Sequence, residues 1–387
     1  MSFADLCAEL AALDARGLTR NRRVLESPQS ARVVVDGQDL VAFCSNDYLG
    51  LACDPRLVAA ACEGAARYGV GAGASHLILG HAVAHHALEH ALAHFVRLPR
   101  ALLFSTGYMA NLGIVTALVG REDAVFADRL NHASLNDAVL LSRAKFKRYA
   151  HGDLNVLERL LATSAARRKL VVSDAVFSMD GDIAPVPELL RLCERFDAWL
   201  LLDDAHGFGV LGADGAGVLQ HYGIASERIV YMATLGKAAG VFGAFAAGQA
   251  QLIETLVQRA RSYIYTTATP PLLAHVVLTS LEIIADEKWR RERLAQLINR
   301  LKQGVAGLRW VLMPSDTAIQ PLVIGANDEA LRISAALAKR GVLVPAIRPP
   351  TVPQGSARLR ISLSAAHSEH DVAQLADALV EIEKEKL

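Results

Sequence analysis

The chain has 387 residues, of which 52% are hydrophobic and 6% aromatic, and its 40 basic residues balance 40 acidic ones. This balance gives no electrostatic reason to expect binding to nucleic acid or to a membrane, and no apolar run is long enough to predict a membrane span. The first residues lack the pattern of a secretion signal, and the five cysteines, which form no CxxC pair, predict free thiols. We therefore expect a cytoplasmic protein with a large core.

Two local patterns precede the main body of the chain. Residues 3–17 carry apolar positions at helical spacing and predict a helix that ends at Gly17. Residues 31–43 predict a β-hairpin, because an Asp-Gly pair between two apolar runs favours a tight turn. We assign 1–45 to an N-terminal segment.

From residue 46 strands and helices alternate. The predicted strands are 101–104, 123–127, 145–149, 169–176, 198–203 and 228–233, and the predicted helices include 107–119, 133–142, 153–163 and 186–196. Such alternation is typical of an α/β fold in which helices cover both faces of a mostly parallel sheet. We assign 46–285 to this large domain.

The last part of the chain has a different pattern. Residues 270–303 predict one long helix or a broken pair of helices. The elements predicted after it are strands at 319–325, 341–345 and 358–363 and helices at 328–339 and 368–385. They indicate a small α+β C-terminal domain, which we assign to 286–387.

The most informative residues follow two apolar strands of the large domain. One strand ends at Asp203 and is followed by Asp204 and His206, and the other leads to Lys237, which is surrounded by small residues. A lysine that can form a Schiff base and an acid that keeps a pyridine nitrogen protonated are what pyridoxal phosphate (PLP) needs. The small neighbours are expected to let a planar cofactor approach, and burial to lower the pKa of the lysine. For Asp204 we favour a helix cap and a turn.

Further polar residues follow neighbouring strands. Gly107 and Tyr108 open a helix whose first backbone N–H groups suit a phosphate, and Thr234 adds a hydroxyl from the other side. His132 opens another helix at a strand end, where a capping role is the alternative. Ser178 follows an apolar strand and is placed to bond a ring hydroxyl.

Histidines at 81, 85, 86, 90 and 94 lie on one predicted helix. Their spacing puts pairs on one helix face, which is also a metal-binding pattern. Because no HExxH or carboxylate pattern completes such a site, we predict an amphipathic helix and no metal.

Five motifs resemble the α-oxoamine synthases, a PLP-dependent family of the aspartate aminotransferase fold (fold type I). They are SNDYLGL (45–51), DRLNHAS (128–134), VFSMDGD (176–182), DDAHG (203–207) and TLGK (234–237). The segments AIRPPTVP (346–353) and ARLR (357–360) resemble the branch that joins L-alanine to a pimeloyl thioester, carried by coenzyme A or by an acyl carrier protein. The resemblance covers essentially the whole chain.

The resemblance implies roles around the cofactor. Lys237 forms the Schiff base and moves the alanine α-proton, and Asp203 pairs with the pyridine nitrogen. His132 stacks on the ring, while Ser178 and His206 reach its hydroxyl oxygen.

It also implies roles at the phosphate and at the amino acid. The region of Gly107 and Tyr108 holds the phosphate together with Thr234. Arg360 binds the carboxylate of alanine, and Arg358, two residues earlier on the same predicted strand, is the second choice.

For the acyl substrate and for assembly, the resemblance implies that Arg20 and Thr351 contact the acyl chain. It implies a homodimer with shared active sites, to which the partner contributes 69–80 and 266–267. The alternatives are a sister condensation with glycine or serine, an ordinary PLP aminotransferase or lyase, and an inactive partner subunit.

Overall fold

The computed structural model describes residues 3–16 and 18–385, without the side chain of Ala4; Gly17, the predicted end of the first helix, lies outside the described residues. The helices are α1 (Ala4–Ala15), α2 (Pro55–Tyr68), α3 (Val83–Phe95), α4 (Gly107–Leu118), α5 (Ala133–Ser142), α6 (Leu154–Ala162), α7 (Val186–Arg195), α8 (Val218–Tyr222), α9 (Ala250–Arg259), α10 (Arg261–Ile264), α11 (Pro271–Asp286), α12 (Lys288–Val305), α13 (Asn327–Lys339) and α14 (Glu369–Lys384), and a π-helical turn spans His76–Gly80.

The strands are β1 (Arg32–Val35), β2 (Gln38–Ala42), β3 (Arg100–Phe104), β4 (Ala124–Asp128), β5 (Lys145–Tyr149), β6 (Lys169–Asp174), β7 (Trp199–Asp203), β8 (Ile229–Thr234), β9 (Ala244–Gly248), β10 (Val311–Leu312), β11 (Ile319–Gly325), β12 (Val342–Leu343), β13 (Ala346–Ile347) and β14 (Ala357–Ser362). The predicted elements of the large domain agree with these bounds to within one or two residues. The predicted strand 341–345 is shorter, and 270–303 is a broken pair of helices that separate at Glu287.

The large domain is built on a seven-stranded sheet in the order β3-β9-β8-β7-β6-β4-β5. Neighbouring strands are parallel except where β9 pairs with β3 and with β8, so the predicted mostly parallel sheet is confirmed. The sequence did not reveal β9, because its alanine-rich run AFAAG lacks the β-branched residues that mark a strand.

Both faces of this sheet are covered. Along β7, Leu200 and Leu202 join the hydrophobic core on one face, whereas Leu201 joins the core on the other face, beneath α4, α5 and α9. Alternation of this kind buries both sides of each central strand and explains why the strands read as continuous apolar runs. The described residues contain no helix long and apolar enough to cross a membrane.

The remaining strands form two smaller sheets. Strands β10, β11, β14 and β13 make an antiparallel sheet, and β1 and β2 make the predicted hairpin. The hairpin does not stand apart, because β2 pairs in parallel with β12 through Val41 and Val342. We retain the three-part division at residues 45 and 285 as a proposal, with the N-terminal hairpin joined to the C-terminal part.

The topology brings several polar residues to one edge of the large sheet. Asp128, Asp174, Asp203 and Thr234 are the last residues of β4, β6, β7 and β8. Because these four strands run in the same direction, their carboxyl ends lie side by side, which is where ligands bind in open α/β sheets.

Candidate active site

A pocket of about 200 Å³ opens at this edge of the sheet. It is lined by Gly107, Tyr108, His132, Ser134, Asp174, Val176, Ser178, Asp203, Ala205, His206, Met232, Thr234 and Lys237. All the residues predicted from the sequence to contact the cofactor therefore line one pocket.

Lys237 and His206 are in direct contact within it. The lysine Nζ lies 2.8 Å from His206 Nε2, and His206 Nδ1 lies 2.6 Å from the hydroxyl of Tyr48. Burial lowers the pKa of Lys237 to about 8, against the opposing attraction of Asp203 and Asp174. Burial, followed by the nearby lysine charge, also lowers the pKa of His206. The pair therefore holds a neutral imidazole next to an amine that loses its proton near physiological pH.

Three of the small residues around Lys237, namely Ala238, Ala239 and Gly240, do not line the pocket, so the predicted reason does not apply to them. Ala238 and Ala239 are buried in the protein core. Gly240 has a positive φ of 69° and lies so close to Leu51 that an added Cβ would stand 2.7 Å from that residue. These residues are small because the turn after β8 packs tightly against the segment that follows β2.

Asp203 is buried and held in one orientation. Its Oδ2 accepts a hydrogen bond of 2.7 Å from Asn111 Nδ2, and its Oδ1 accepts one of 3.1 Å from the Ala205 N–H. Asn111 lies on α4 and also donates to Ser134 Oγ. Sequence reasoning missed Asn111, whose only signal is an amide within an otherwise apolar helix.

Asp204 lies outside the pocket, although it is fully buried. Its Oδ2 accepts from the Val218 N–H at 2.7 Å and from the Tyr231 hydroxyl at 2.8 Å. Burial raises its pKa to about 7. It caps the start of α8, a helix distant in sequence.

His132 lines the pocket and caps a helix at the same time. Its Nδ1 accepts from the Ser134 N–H at 3.3 Å, at the start of α5. Its backbone N–H donates to both carboxylate oxygens of Asp174, at 3.2 and 3.1 Å. Burial and the proximity of Asp203 raise the pKa of Asp174. Sequence reasoning missed Asp174, although it ends an apolar strand just as Asp203 does.

The start of α4 provides the phosphate-type site. Thr106 caps the helix by accepting from the Met109 N–H at 3.2 Å, and Gly107 and Tyr108 form the first turn. First-turn N–H groups have no partner within their own helix and suit an anion. The ring of Tyr108 is half exposed and its hydroxyl donates a hydrogen bond to Asp137. We therefore expect Tyr108 to contact a ligand in the pocket through its backbone N–H. Thr234 Oγ1 donates to the carbonyl of Gly243 on the other side.

Arg360 and Arg358 both lie buried on β14, but their charges are differently engaged. Arg358 pairs with the carboxylate of Asp180. Arg360 donates from Nε to the Ser178 carbonyl at 2.6 Å and from Nη1 to Ser362 Oγ at 2.7 Å, and no carboxylate of residues 3–16 or 18–385 pairs with it. Arg360 does not itself line the pocket, but it contacts Ser178, which does, and its partners are neutral oxygens.

Two larger cavities lie on this side of the molecule, and one of them adjoins the pocket. One of about 720 Å³ shares His132 and Ser178 with it and is also lined by Thr351 and Arg358. The next, of about 540 Å³, shares Thr351 and contains Arg20. The two residues predicted to contact an acyl chain thus line one cavity, which shares Thr351 with the cavity that adjoins the pocket.

Of the five histidines predicted on one helix, His81 precedes α3, and the cluster that forms also contains His76, in a geometry that does not favour a metal. Ligand atoms of His76, His81 and His85 lie within 4.8 Å of one another. His85, however, accepts from the Ala82 N–H at 3.0 Å and bonds the Thr269 carbonyl at 2.8 Å, so both its ring nitrogens are occupied. Metal binding would cost one of these bonds.

Comparison with known proteins identifies the family. The model of the class I and II aminotransferases matches residues 38–379. A relative from Nitrosospira multiformis, an 8-amino-7-oxononanoate synthase, is 68% identical over 370 residues, which cover 96% of this chain and 93% of the relative. The 8-amino-7-oxononanoate synthase of Nitrosomonas europaea is 65% identical over 384 residues, covering 97% and 98%. The chain belongs to the 8-amino-7-oxononanoate synthases, within the class I and II aminotransferase family.

Solved structures agree with this assignment. A serine palmitoyltransferase from S. paucimobilis, with PLP bound, superimposes with a TM-score of 0.93 at 30% identity, covering 99% of this chain and 98% of that one. An 8-amino-7-oxononanoate synthase from Francisella tularensis gives 0.78 at 30% identity, covering 90% and 99%. The predicted PLP-dependent fold type I and the predicted PLP cofactor are confirmed.

The lowered pKa of Lys237 predicts how cofactor-free protein takes up PLP. Only the neutral amine attacks an aldehyde, so the rate should rise about tenfold per pH unit below pH 8 and level off above it. Stopped-flow absorbance after mixing with PLP measures this rate. A rate that keeps rising to about pH 10 is the behaviour of an exposed lysine and would contradict the burial argument.

Proposed function

We propose that the protein condenses L-alanine with a pimeloyl thioester to give 8-amino-7-oxononanoate, carbon dioxide and the free thiol carrier, in biotin biosynthesis. One observation carries the proposal. The pocket that contains Lys237 and Asp203 shares His132 and Ser178 with an adjoining cavity of about 720 Å³, which suits a second, elongated substrate. An aminotransferase that handles one small amino acid at a time has no need of such an extension.

The pocket residues fit PLP, which when bound supplies the electron sink for deprotonation and for decarboxylation. Lys237 Nζ would hold the cofactor covalently and, once the substrate amine replaces it, take the α-proton of alanine. Asp203 would keep the proton on the pyridine nitrogen, and its bonds to Asn111 and Ala205 hold the carboxylate in place for this. His206, in contact with Lys237, is placed to pass a proton to or from it.

The other pocket residues would orient the cofactor. His132 would stack on its ring, and Ser178 and His206 would bond the ring hydroxyl. The first turn of α4, at Gly107 and Tyr108, and the hydroxyl of Thr234 would hold the phosphate.

The acyl substrate is assigned to the two cavities beyond the pocket. Arg20 and Thr351 line the cavity farther from Lys237. Arg16 lines the same space, so its charge, with that of Arg20, suits the free carboxylate of a pimeloyl group. Parallel reactions with the two pimeloyl thioesters distinguish coenzyme A from an acyl carrier protein as the thiol carrier.

Arg360 is assigned to the carboxylate of alanine. Replacing it with alanine should raise the KM for L-alanine about a hundredfold, because a buried charge-assisted contact is lost. Arg360→Lys keeps the charge without the planar fork, so its KM for L-alanine should lie between those of Arg360→Ala and the wild type. Steady-state kinetics measure both variants, and thermal unfolding with the surface variant Arg121→Ala as control shows whether the fold is intact. An unchanged KM in a folded Arg360→Ala protein would exclude the role.

We also propose that the enzyme is a cytoplasmic homodimer whose partner completes each site. The support is an exposed apolar surface on and beside the π-helical turn, formed by Val70, Leu77, Ile78, Leu79 and Val83. A surface of this kind marks a protein contact, and it coincides with the segment 69–80 predicted to reach the partner's site. The cysteines are all free, which suits a reducing compartment.

Isotope labelling tests the reaction. With L-alanine labelled with carbon-13 at the carboxyl carbon, the label should leave as carbon dioxide, whereas label at the methyl carbon should remain in 8-amino-7-oxononanoate seen by mass spectrometry. Glycine and serine, each offered with the same thioesters, serve as controls. Faster thiol release with either would favour the sister condensation, and conversion of alanine without any thioester would favour an aminotransferase. Parallel reactions with pimeloyl-coenzyme A and pimeloyl acyl carrier protein identify the carrier.

A further inference from the structure

The cavity beside the cofactor pocket has two walls that come from separate segments. One is the turn after β4, which includes Arg129 and His132, and the other is the loop 177–180 after β6, which includes Ser178. His132 and Ser178 also line the cofactor pocket. The two segments therefore line both the cofactor pocket and the cavity.

His151, which follows β5, connects the two segments. Its Nδ1 lies 3.1 Å from both carboxylate oxygens of Asp128, at the root of the first wall. Its Nε2 lies 2.9 Å from Asp182 Oδ2, at the base of the second. Its ring also packs edge-on against Phe177, with 4.4 Å between ring centroids.

This arrangement requires a protonated ring. Ionised carboxylates only accept hydrogen bonds, so contact at both nitrogens needs two N–H donors, which only imidazolium has. The hydrogen bonds to Asp128 and then to Asp182 raise the pKa of His151 to about 10. The third carboxylate nearby, Asp180, is already paired with Arg358.

Each wall has other supports, and one of them also links the two, because the His132 N–H donates to Asp174 at the end of the strand that leads into the loop 177–180. Asp128 also accepts from the Leu130 N–H at 2.8 Å, which shapes the turn leading to His132. The loop is held from the C-terminal part, where Arg360 bonds the Ser178 carbonyl and Ser315 bonds the Gly181 carbonyl.

We propose that His151 is a positioning residue: as a cation held between Asp128 and Asp182, it fixes the spacing of the two walls of the acyl cavity and so places Ser178 and His132. This rests on the proposed function, because the cavity is assigned there to the thioester. His151 touches neither pocket nor cavity and acts through the segments it joins.

Kinetics of matched variants test the positioning role. His151→Gln keeps a similar size but has no charge and a single donor group, so the KM for the thioester should rise about tenfold while kcat changes less than about threefold. Asp182→Asn should have a similar effect, and the double variant should be little worse than either single one, because both remove the same contact. His151→Lys, which restores a cation, should recover part of the loss. His221→Gln, a change at an exposed histidine next to Tyr222, is the control.

A direct measurement separates this inference from the proposed function. In protein labelled with nitrogen-15 at histidine, NMR should show the His151 ring doubly protonated at pH 8, and Asp182→Asn should lower its pKa. These signals do not depend on which thioester is the substrate. A His151 ring that is neutral at pH 8, or a folded His151→Gln protein with an unchanged KM for the accepted thioester, would overturn the proposal. Failure of every thioester in the labelling experiment would instead overturn the proposed function.

Discussion

Lys237→Ala should lack the visible absorbance of the lysine-bound cofactor and should lose at least a thousandfold in condensation rate. The side chain is assigned two tasks, covalent attachment of PLP and movement of the α-proton, and it is the lysine that lines the pocket. Because its pKa is about 8, a useful fraction of Lys237 is the neutral amine at physiological pH. An exposed lysine is almost fully protonated at that pH. Absorbance spectra and thiol release from a pimeloyl thioester measure the two losses.

The matched control for this variant is Lys147→Ala, at an exposed position on β5. It removes a lysine without touching the pocket, so both readings should stay at the wild-type level. A second control adds a small primary amine to Lys237→Ala, which should restore a fraction of the proton transfer if the amine is what the pocket lacks. Turnover of Lys237→Ala within tenfold of the wild type would show that another base carries the reaction.

The parts of the site that the sequence predicts are those that end an apolar strand. Asp203, Thr234 and Ser178 each end or follow an apolar run that predicts a buried strand, so their meeting at one sheet edge follows from the parallel topology. Gly107 and His132 were identified in the same way, as the first residues of helices that follow strands. The position of these residues at one edge of the sheet can be predicted without knowing which strands are neighbours.

What the sequence does not predict depends on contacts between distant segments. Asn111 supports Asp203 from the middle of α4, and nothing in an apolar helix reveals that partner. The pairing of β2 with β12 joins residues some three hundred positions apart in the chain, and no local pattern reveals it. The role of His151 depends on two carboxylates from two other loops. The local sequence pattern indicates where a residue lies on its strand or helix. The residues that its side chain contacts are set by tertiary packing.

Asp203→Asn should keep the cofactor bound and yet lower kcat by about a thousandfold. The change is nearly isosteric, and the pocket still contains Lys237 and the phosphate-type site, so binding should persist. An amide, however, does not hold a proton on the pyridine nitrogen as a carboxylate does, and both deprotonation and decarboxylation need that protonated ring. One lost charge therefore slows two steps. Kinetics and cofactor absorbance of the purified variant measure the effect.

Asp204→Asn is the matched control, because it makes the same chemical change one residue along the chain. Asp204 lies outside the pocket, and its pKa of about 7 means that it carries only part of a charge near neutral pH. Its replacement should cost stability, through its bonds to Val218 and Tyr231, while kcat of the folded enzyme stays within about twofold of the wild type. Equal losses of kcat in the two variants would contradict the assignment of the ring-nitrogen partner to Asp203, because the effect would then follow from burial at the end of β7 and not from contact with the cofactor.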